Sequence, residues 1–168
     1  MTLKNWSDTV ALIESYQDFA DSKSADLGWS EWFDMNQETI NGFADVTGDH
    51  QWIHVDPAAA ADGPFGGTIA HGFLVLALLP RFSDTWIDVK DSPMAINYGL
   101  NKVRFPTPVR AGKRVRATAA VIDVEEVSDG HQATVEVKVF AEGSDKPSCV
   151  AEWVYRAYAP ALESSEGN

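Results

Sequence analysis

The sequence predicts an α+β domain in which an antiparallel sheet packs around an apolar helix. Three observations predict it. Helical spacing governs the first half of the chain, strict alternation governs the second, and a run of seven apolar residues, 73–79, joins them. Helices followed by a strand meander is the order of an α+β fold. A helix apolar on every side must be enclosed, and a sheet with one apolar face supplies the enclosure.

Each element has its own signal. Over residues 5–20, Val10, Ile13 and Phe19 recur at helical spacing behind Ser7 or Asp8 as N-cap. Residues 28–35 are aromatic-rich and read as a strand. Asn36 is placed to cap a second helix, in which Ile40, Phe43, Ala44 and Val46 recur and Gly48 supplies the left-handed stop. Residues 49–56 read as a loop. Residues 57–62 are an Ala-rich helix with Pro57 at its first position, and 63–67 (GPFGG) are loop by composition. From Ala70 the apolar stretch outruns a strand and reads as a helix, which Pro80 bends or breaks. Residues 93–105 form a strand ended by Pro106 and Pro108. Val115, Ala117, Ala119 and Val121 then alternate with polar or small neighbours, as do Val135, Val137 and Val139. Asp129-Gly130 marks a hairpin turn between them, and residues 150–158 form a last strand. Residues 1–158 are expected to be one domain and 159–168, small and acidic, a disordered tail.

The bulk numbers limit the function. A chain of 168 residues with 45% hydrophobic and 23% charged residues has the composition of one globular domain. Its net charge of −12 opposes binding to nucleic acid or to an anionic membrane. Six of the 13 Lys and Arg fall between residues 102 and 116 (Lys102, Arg104, Arg110, Lys113, Arg114, Arg116). They read either as a solvated strand face with a basic turn or as a landing site for an anionic small molecule. The single Cys149 excludes an internal disulfide and any zinc spacing. No apolar run approaches the ~18 residues of a membrane span, and the N-terminal residues lack the pattern of a signal peptide. A cytoplasmic protein without membrane insertion is expected.

Two constellations carry chemistry. Residues 43–56, FADVTGDHQWIHVD, place Asp49 and His54 five apart just after the glycine stop. On a helix they would face apart; on a loop both can reach one cavity and hold a water between them, the carboxylate accepting a proton and the imidazole giving or taking another. That suits addition or removal of water without a metal. A plain loop hydrogen-bond network is the other reading. The second constellation is IAHGF, residues 69–73. A helix start offers free N–H groups, and Gly72 lets a thioester oxygen approach the backbone; the other reading of Gly72 is relief of packing against a strand. His71 reads as a capping or packing residue.

GDHQWIHVD followed by PFGGTIAHGFLVLALLP resembles the signature of the MaoC-like dehydratases, also called R-specific enoyl-CoA hydratases or hydratase 2. The downstream VRFPTPVRAGKRV, residues 103–115, is similar to the family's post-helix strand. The likeness spans about residues 25–158 and is nearest to the single-hot-dog actinobacterial branch. It implies a hot-dog fold, a long central helix wrapped by an antiparallel sheet, as a homodimer. It also implies that Asp49 and His54 hold the catalytic water and that the Gly72 N–H meets the thioester oxygen. The sequence departs from the family where Gln51-Trp52 replace Asn-Pro, and where Ala77 to Pro80 replace a helix serine.

The expected reaction adds water to a trans-2-enoyl-CoA to give an (R)-3-hydroxyacyl-CoA, reversibly, in fatty acid metabolism. His71, Phe73, Lys102, Arg104, Lys113 and Arg114 are expected to contact the substrate. Coenzyme A is the expected carrier, as part of the substrate, and no separate cofactor is expected. Acyl carrier protein is disfavoured because it is acidic like most of this surface. A hot-dog acyl-CoA thioesterase and a non-catalytic acyl-thioester-binding or assembly subunit are the alternatives.

Overall fold

The computed structural model describes residues 12–160. Its frame is a six-stranded antiparallel sheet built on one long hairpin. β4 (Lys113–Val127) and β5 (Gly130–Ala141) pair along their whole length and turn through Ser128 and Asp129. Alternation decides which side is buried: Val115, Ala117, Val121, Val135, Val137 and Val139 are all within 1% of full burial. β6 (Cys149–Tyr158) pairs with β5, and β3 (Ala95–Arg104) pairs with β6, giving the order β1-β4-β5-β6-β3.

The aromatic stretch expected as one strand is two. β1 (Asp26–Trp29) and β2 (Phe33–Met35) both pair with β4, interrupted where the Ser30 hydroxyl accepts the Ala117 N–H. Within the described residues the expected N-terminal helix is also shorter. Ile13 bridges to Ile87, and α1 (Tyr16–Ala20) begins only behind Ser15, whose hydroxyl accepts from the Asp18 amide. The anticipated caps Ser7 and Asp8 and the tail beyond residue 160 lie outside the described residues.

α2 (Gln37–Thr47) has both expected ends. The Asn36 side chain accepts the Thr39 amide, and Gly48 closes the helix at φ 75°. The segment expected as loop holds one helical turn, α3 (Trp52–Val55), before α4 (Pro57–Ala61), whose N-cap Asp56 accepts from Ala58 and Ala59.

The central apolar helix is broken in two, α5 (Gly72–Ala77) and α6 (Leu79–Ser83), with Leu78 between them and Pro80 in the first turn of the second. It is not enclosed on every side. Leu74, Val75, Leu79 and Phe82 enter the core with Trp86 and the sheet valines, while Phe73, Ala77 and Pro80 stay exposed. Those three are spaced i, i+4, i+7, one helical stripe that the sheet of a single chain does not cover.

Candidate active site

The site is assembled where the end of α2, the turn of α3 and the start of α5 meet. Gly48 in the left-handed region turns the chain off α2 and sets Asp49 at the surface. Three residues on, α3 carries His54 back into the protein, where it is 7% exposed. α3 is held from outside by Gln37, whose amide donates to the His54 carbonyl at 2.7 Å and accepts from the Thr68 hydroxyl at 2.5 Å. The Ile69 amide donates to the Ile53 carbonyl and the Ala70 amide to Val109, which ties the strand-like approach to α5 onto the same turn.

Hydrogen-bond partners fix the proton positions on two rings. His54 Nδ1 lies 2.7 Å from the Ile69 carbonyl oxygen. A carbonyl only accepts, so Nδ1 carries hydrogen and the neutral ring has its lone pair on Nε2. His71 is the mirror case: Nε2 donates to the Asp49 carbonyl at 2.9 Å, leaving Nδ1 bare. The rings stack, with centroids 3.8 Å apart and planes inclined by 26°. The Asp49 carboxylate, His54 and His71 bring one polar side-chain atom each within 4.8 Å of the others. Asp49 and His54 therefore converge as the sequence expects, at a separation that a single water spans with two ordinary hydrogen bonds.

Those three groups also have the composition of a metal-ligand set, with one donor atom of each within 4.8 Å of the others, and His71 Nδ1 is buried without a hydrogen-bond partner.

A cavity of about 330 Å³ opens beside His54, lined by Phe65, Ile69, Gly72, Val75, Phe105 and Ser148. His54 and Gly72 share its wall; Asp49 is exposed and is not part of that wall. The wall is apolar apart from His54, Thr107 and Ser148, as an acyl chain requires. Gly72 serves a close approach as well as an open amide. A Cβ there would stand 2.9 Å from the Phe105 ring, so packing does require glycine, against an aromatic ring and not a strand. Its N–H, in the first turn of α5, has no intrahelical partner. A second cavity, of about 310 Å³, lies between the central helices and β3, with Leu76, Pro80, Asn97 and Trp153 in its wall.

The expected substrate-binding residues divide. His71 is 3% exposed, outside the cavity wall and bound to the Asp49 backbone. It makes no cap hydrogen bond, although it occupies the N-cap of α5. Phe73 is 70% exposed and meets Phe105 edge-on at the rim.

The basic cluster does not form one patch. Lys102 and Arg104 lie on β3, Lys113 and Arg114 on β4, with β5 and β6 between them, about 14 Å across three strand spacings. Arg114 is paired with Glu142 at 2.5 Å and stacked on Trp32. Arg116 lies over Trp29 and Trp32. Arg104 and Arg110 flank segments that line the His54 cavity, Arg104 beside Phe105 and Arg110 donating to the Gly66 carbonyl. Sequence proximity grouped these six cations; strand order separated them.

Gln37, Thr68, Phe65 and Ser148 were not singled out from sequence. They lie 11 to 94 positions from His54, and nothing in local spacing points from them to it. Phe105 was part of the quoted motif, but only the close approach to Gly72 reveals its place.

A model of the MaoC-like domain matches residues 18–142 of the chain. Over 148 residues the chain is 56% identical to 3-hydroxyacyl-thioester dehydratase Z of Mycobacterium tuberculosis, covering 88% of this chain and 98% of that protein. It is 43% identical over 132 residues to nodulation protein N of Rhizobium leguminosarum bv. viciae, covering 77% and 82%. The unliganded R-hydratase PhaJ1 of Pseudomonas aeruginosa superposes with a TM-score of 0.70 at 24% identity, over 89% of this chain and 88% of that one, a likeness of fold.

Proposed function

The chain belongs to the MaoC-like dehydratase family, and from that membership we propose that it interconverts (R)-3-hydroxyacyl-CoA and trans-2-enoyl-CoA by loss and gain of water. The observation that carries the reading is the convergence of the Asp49 carboxylate and His54 within 4.8 Å, beside an apolar cavity that also exposes Gly72.

In the hydration direction the enoyl thioester lies in the cavity with its carbonyl oxygen at the Gly72 N–H. Water held between Asp49 and His54 attacks C3. One of its protons passes to the pair, the C2–C3 π electrons move toward the carbonyl, and the Gly72 amide stabilises the resulting enolate oxygen. The pair then returns a proton to C2, and atoms and charge balance. Dehydration is the reverse. The Nδ1–H to Ile69 bond keeps His54 Nε2 free for this proton. Arg104 and Arg110 are the cations best placed for the phosphates of coenzyme A, in preference to Arg114, which Glu142 already occupies.

The protein is further proposed to act in fatty acid metabolism, in the cytoplasm and as a homodimer. β3 supports the dimer: among the described residues it pairs with β6 on one side only, and Tyr98 and Leu100 on it are 56% and 44% exposed. Among the described residues no helix is long and apolar enough to cross a membrane.

The test follows loss of enoyl absorbance with crotonyl-CoA and longer enoyl-CoAs. Asp49→Asn and His54→Gln should each lower kcat by about 10²–10⁴. Full activity in both variants overturns the site assignment. Release of free thiol without hydration would favour a thioesterase, and tight binding without turnover an acyl-binding subunit.

A further inference from the structure

Resting on the reading that Asp49 and His54 perform the chemistry, we propose that His71 is a positioning residue, which holds the Asp49 loop and the His54 ring in their working relation without touching substrate.

Four contacts lead to it. His71 Nε2 donates to the Asp49 backbone carbonyl at 2.9 Å, across 22 positions of sequence. Its ring covers one face of His54 at 3.8 Å. Phe43, on the last turns of α2, packs on His71 at 5.1 Å, inclined by 51°. The backbone carbonyl of His71 accepts from the amides of Leu74 and Val75, so the ring is rooted in the first turn of α5. One side chain thus ties together the three segments that make the site.

The Asp49 loop needs such a tie. Gly48 and Asp49 are exposed. The Asp49 amide reaches only the Thr47 hydroxyl at 3.4 Å, and the Gln51 amide reaches the Asp49 carboxylate at 3.4 Å, both at the weak limit of a hydrogen bond. By comparison the bond from His71 is short, and it comes from a group that is 3% exposed. It therefore sets where the carboxylate stands relative to His54.

The imidazole is suited to this in a way other side chains are not. It combines a flat face for the stack with a donor in the ring plane. The bond to Asp49 consumes Nε2–H and leaves Nδ1 buried and unpartnered, a desolvation cost that a purely packing residue would not carry. Phenylalanine would fill the same slot without that cost and without the tie.

Two substitutions separate donor from stack. His71→Phe keeps the aromatic face and removes the donor. His71→Gln keeps a donor at the position of Nε2 and removes the ring. We expect His71→Phe to lower kcat at least tenfold with KM changed less than threefold, and His71→Gln to recover most of that loss. In an Asp49→Asn background His71→Phe should add little, because the two act through one group.

The proposal is overturned if His71→Phe leaves kcat within twofold, if the Gln variant loses as much as the Phe variant, or if the two losses multiply independently in the double variant. Should the variants not fold, imidazole nitrogen shifts of the wild-type protein decide: hydrogen on Nε2 of His71 is required, and hydrogen on Nδ1 alone removes the bond. If Asp49→Asn and His54→Gln are themselves silent, it is the catalytic reading that fails. If they abolish activity while His71→Phe does not affect it, only the present inference fails.

Discussion

At the scale of the residue, the site depends on where single protons sit. Two carbonyl acceptors, from Ile69 and Asp49, dictate opposite tautomers on two stacked histidines. The pair thereby offers one free nitrogen beside the cavity and one donor to the loop backbone. Burial governs one further titratable group. Cys149 lies at the start of β6 with no exposed surface, and burial pushes its thiol from the ordinary 9.0 up to about 11. A folded pKa above the unfolded one gives stability that is full below pH 9 and is lost as pH rises through about 11. The melting temperature should therefore fall over this window more steeply in wild type than in Cys149→Ala; parallel curves would show that the thiol does not titrate as assigned. At pH 8 the native protein should resist thiol reagents.

Residue types made part of the site readable. Asp49, His54 and Gly72 were legible because a carboxylate, an imidazole and a glycine each have few uses beside a helix stop or a helix start. Gln37 and Thr68 were not, because their value lies in long-range hydrogen bonds, from Gln37 to His54 across 17 positions and from Thr68 to Gln37 across 31. No short-range pattern encodes such a bond.

At the scale of the element, glycines at two junctions do different work. Gly48 is needed for its conformation: at φ 75° a Cβ meets nothing within 4 Å, so Gly48→Ala should cost only about 1–2 kcal/mol, the price of a left-handed residue. Gly130 is needed for space: its Cβ would run into the Ala157 carbonyl and the Tyr158 backbone of β6. Gly130→Ala must move one strand from another and should cost about 3 kcal/mol or more. Chemical denaturation of the two variants tests the ordering; a Gly130 variant as stable as the Gly48 variant would refute it. The same glycine was read from sequence as part of a turn. The turn is there, but the tight requirement comes from the neighbouring strand. Likewise the length of the apolar stretch from Ala70 announced a helix, while the break at Leu78 and the exposed stripe of Phe73, Ala77 and Pro80 depend on what packs on either side.

At the scale of the whole molecule, the hot-dog fold leaves an open edge at β3 and an exposed helix stripe. If a second copy covers β3, light scattering should give about twice the 18.4 kDa chain mass, and Leu100→Glu should shift the protein toward the monomer. A wild-type monomer at micromolar concentration would overturn the dimer. The acidic surface and the divided cations have a consequence here too: Arg104 and Arg110 stand near the cavity while Arg114 and Arg116 serve ion pairing and aromatic stacking on the sheet.

The sequence by itself determined the order of helices before strands, the ends of α2, the inward faces of β4 and β5 and the residue types of the proposed site. Caps, turns and alternation act over a few neighbouring residues, so they are written locally. Only the tertiary structure decided that His71 reaches back 22 positions to Asp49, that Phe105 closes on Gly72, and that neighbouring basic residues part to opposite regions of the sheet. Those outcomes follow from the packing of segments far apart in the chain, and packing energy depends on three-dimensional neighbours that no local pattern specifies.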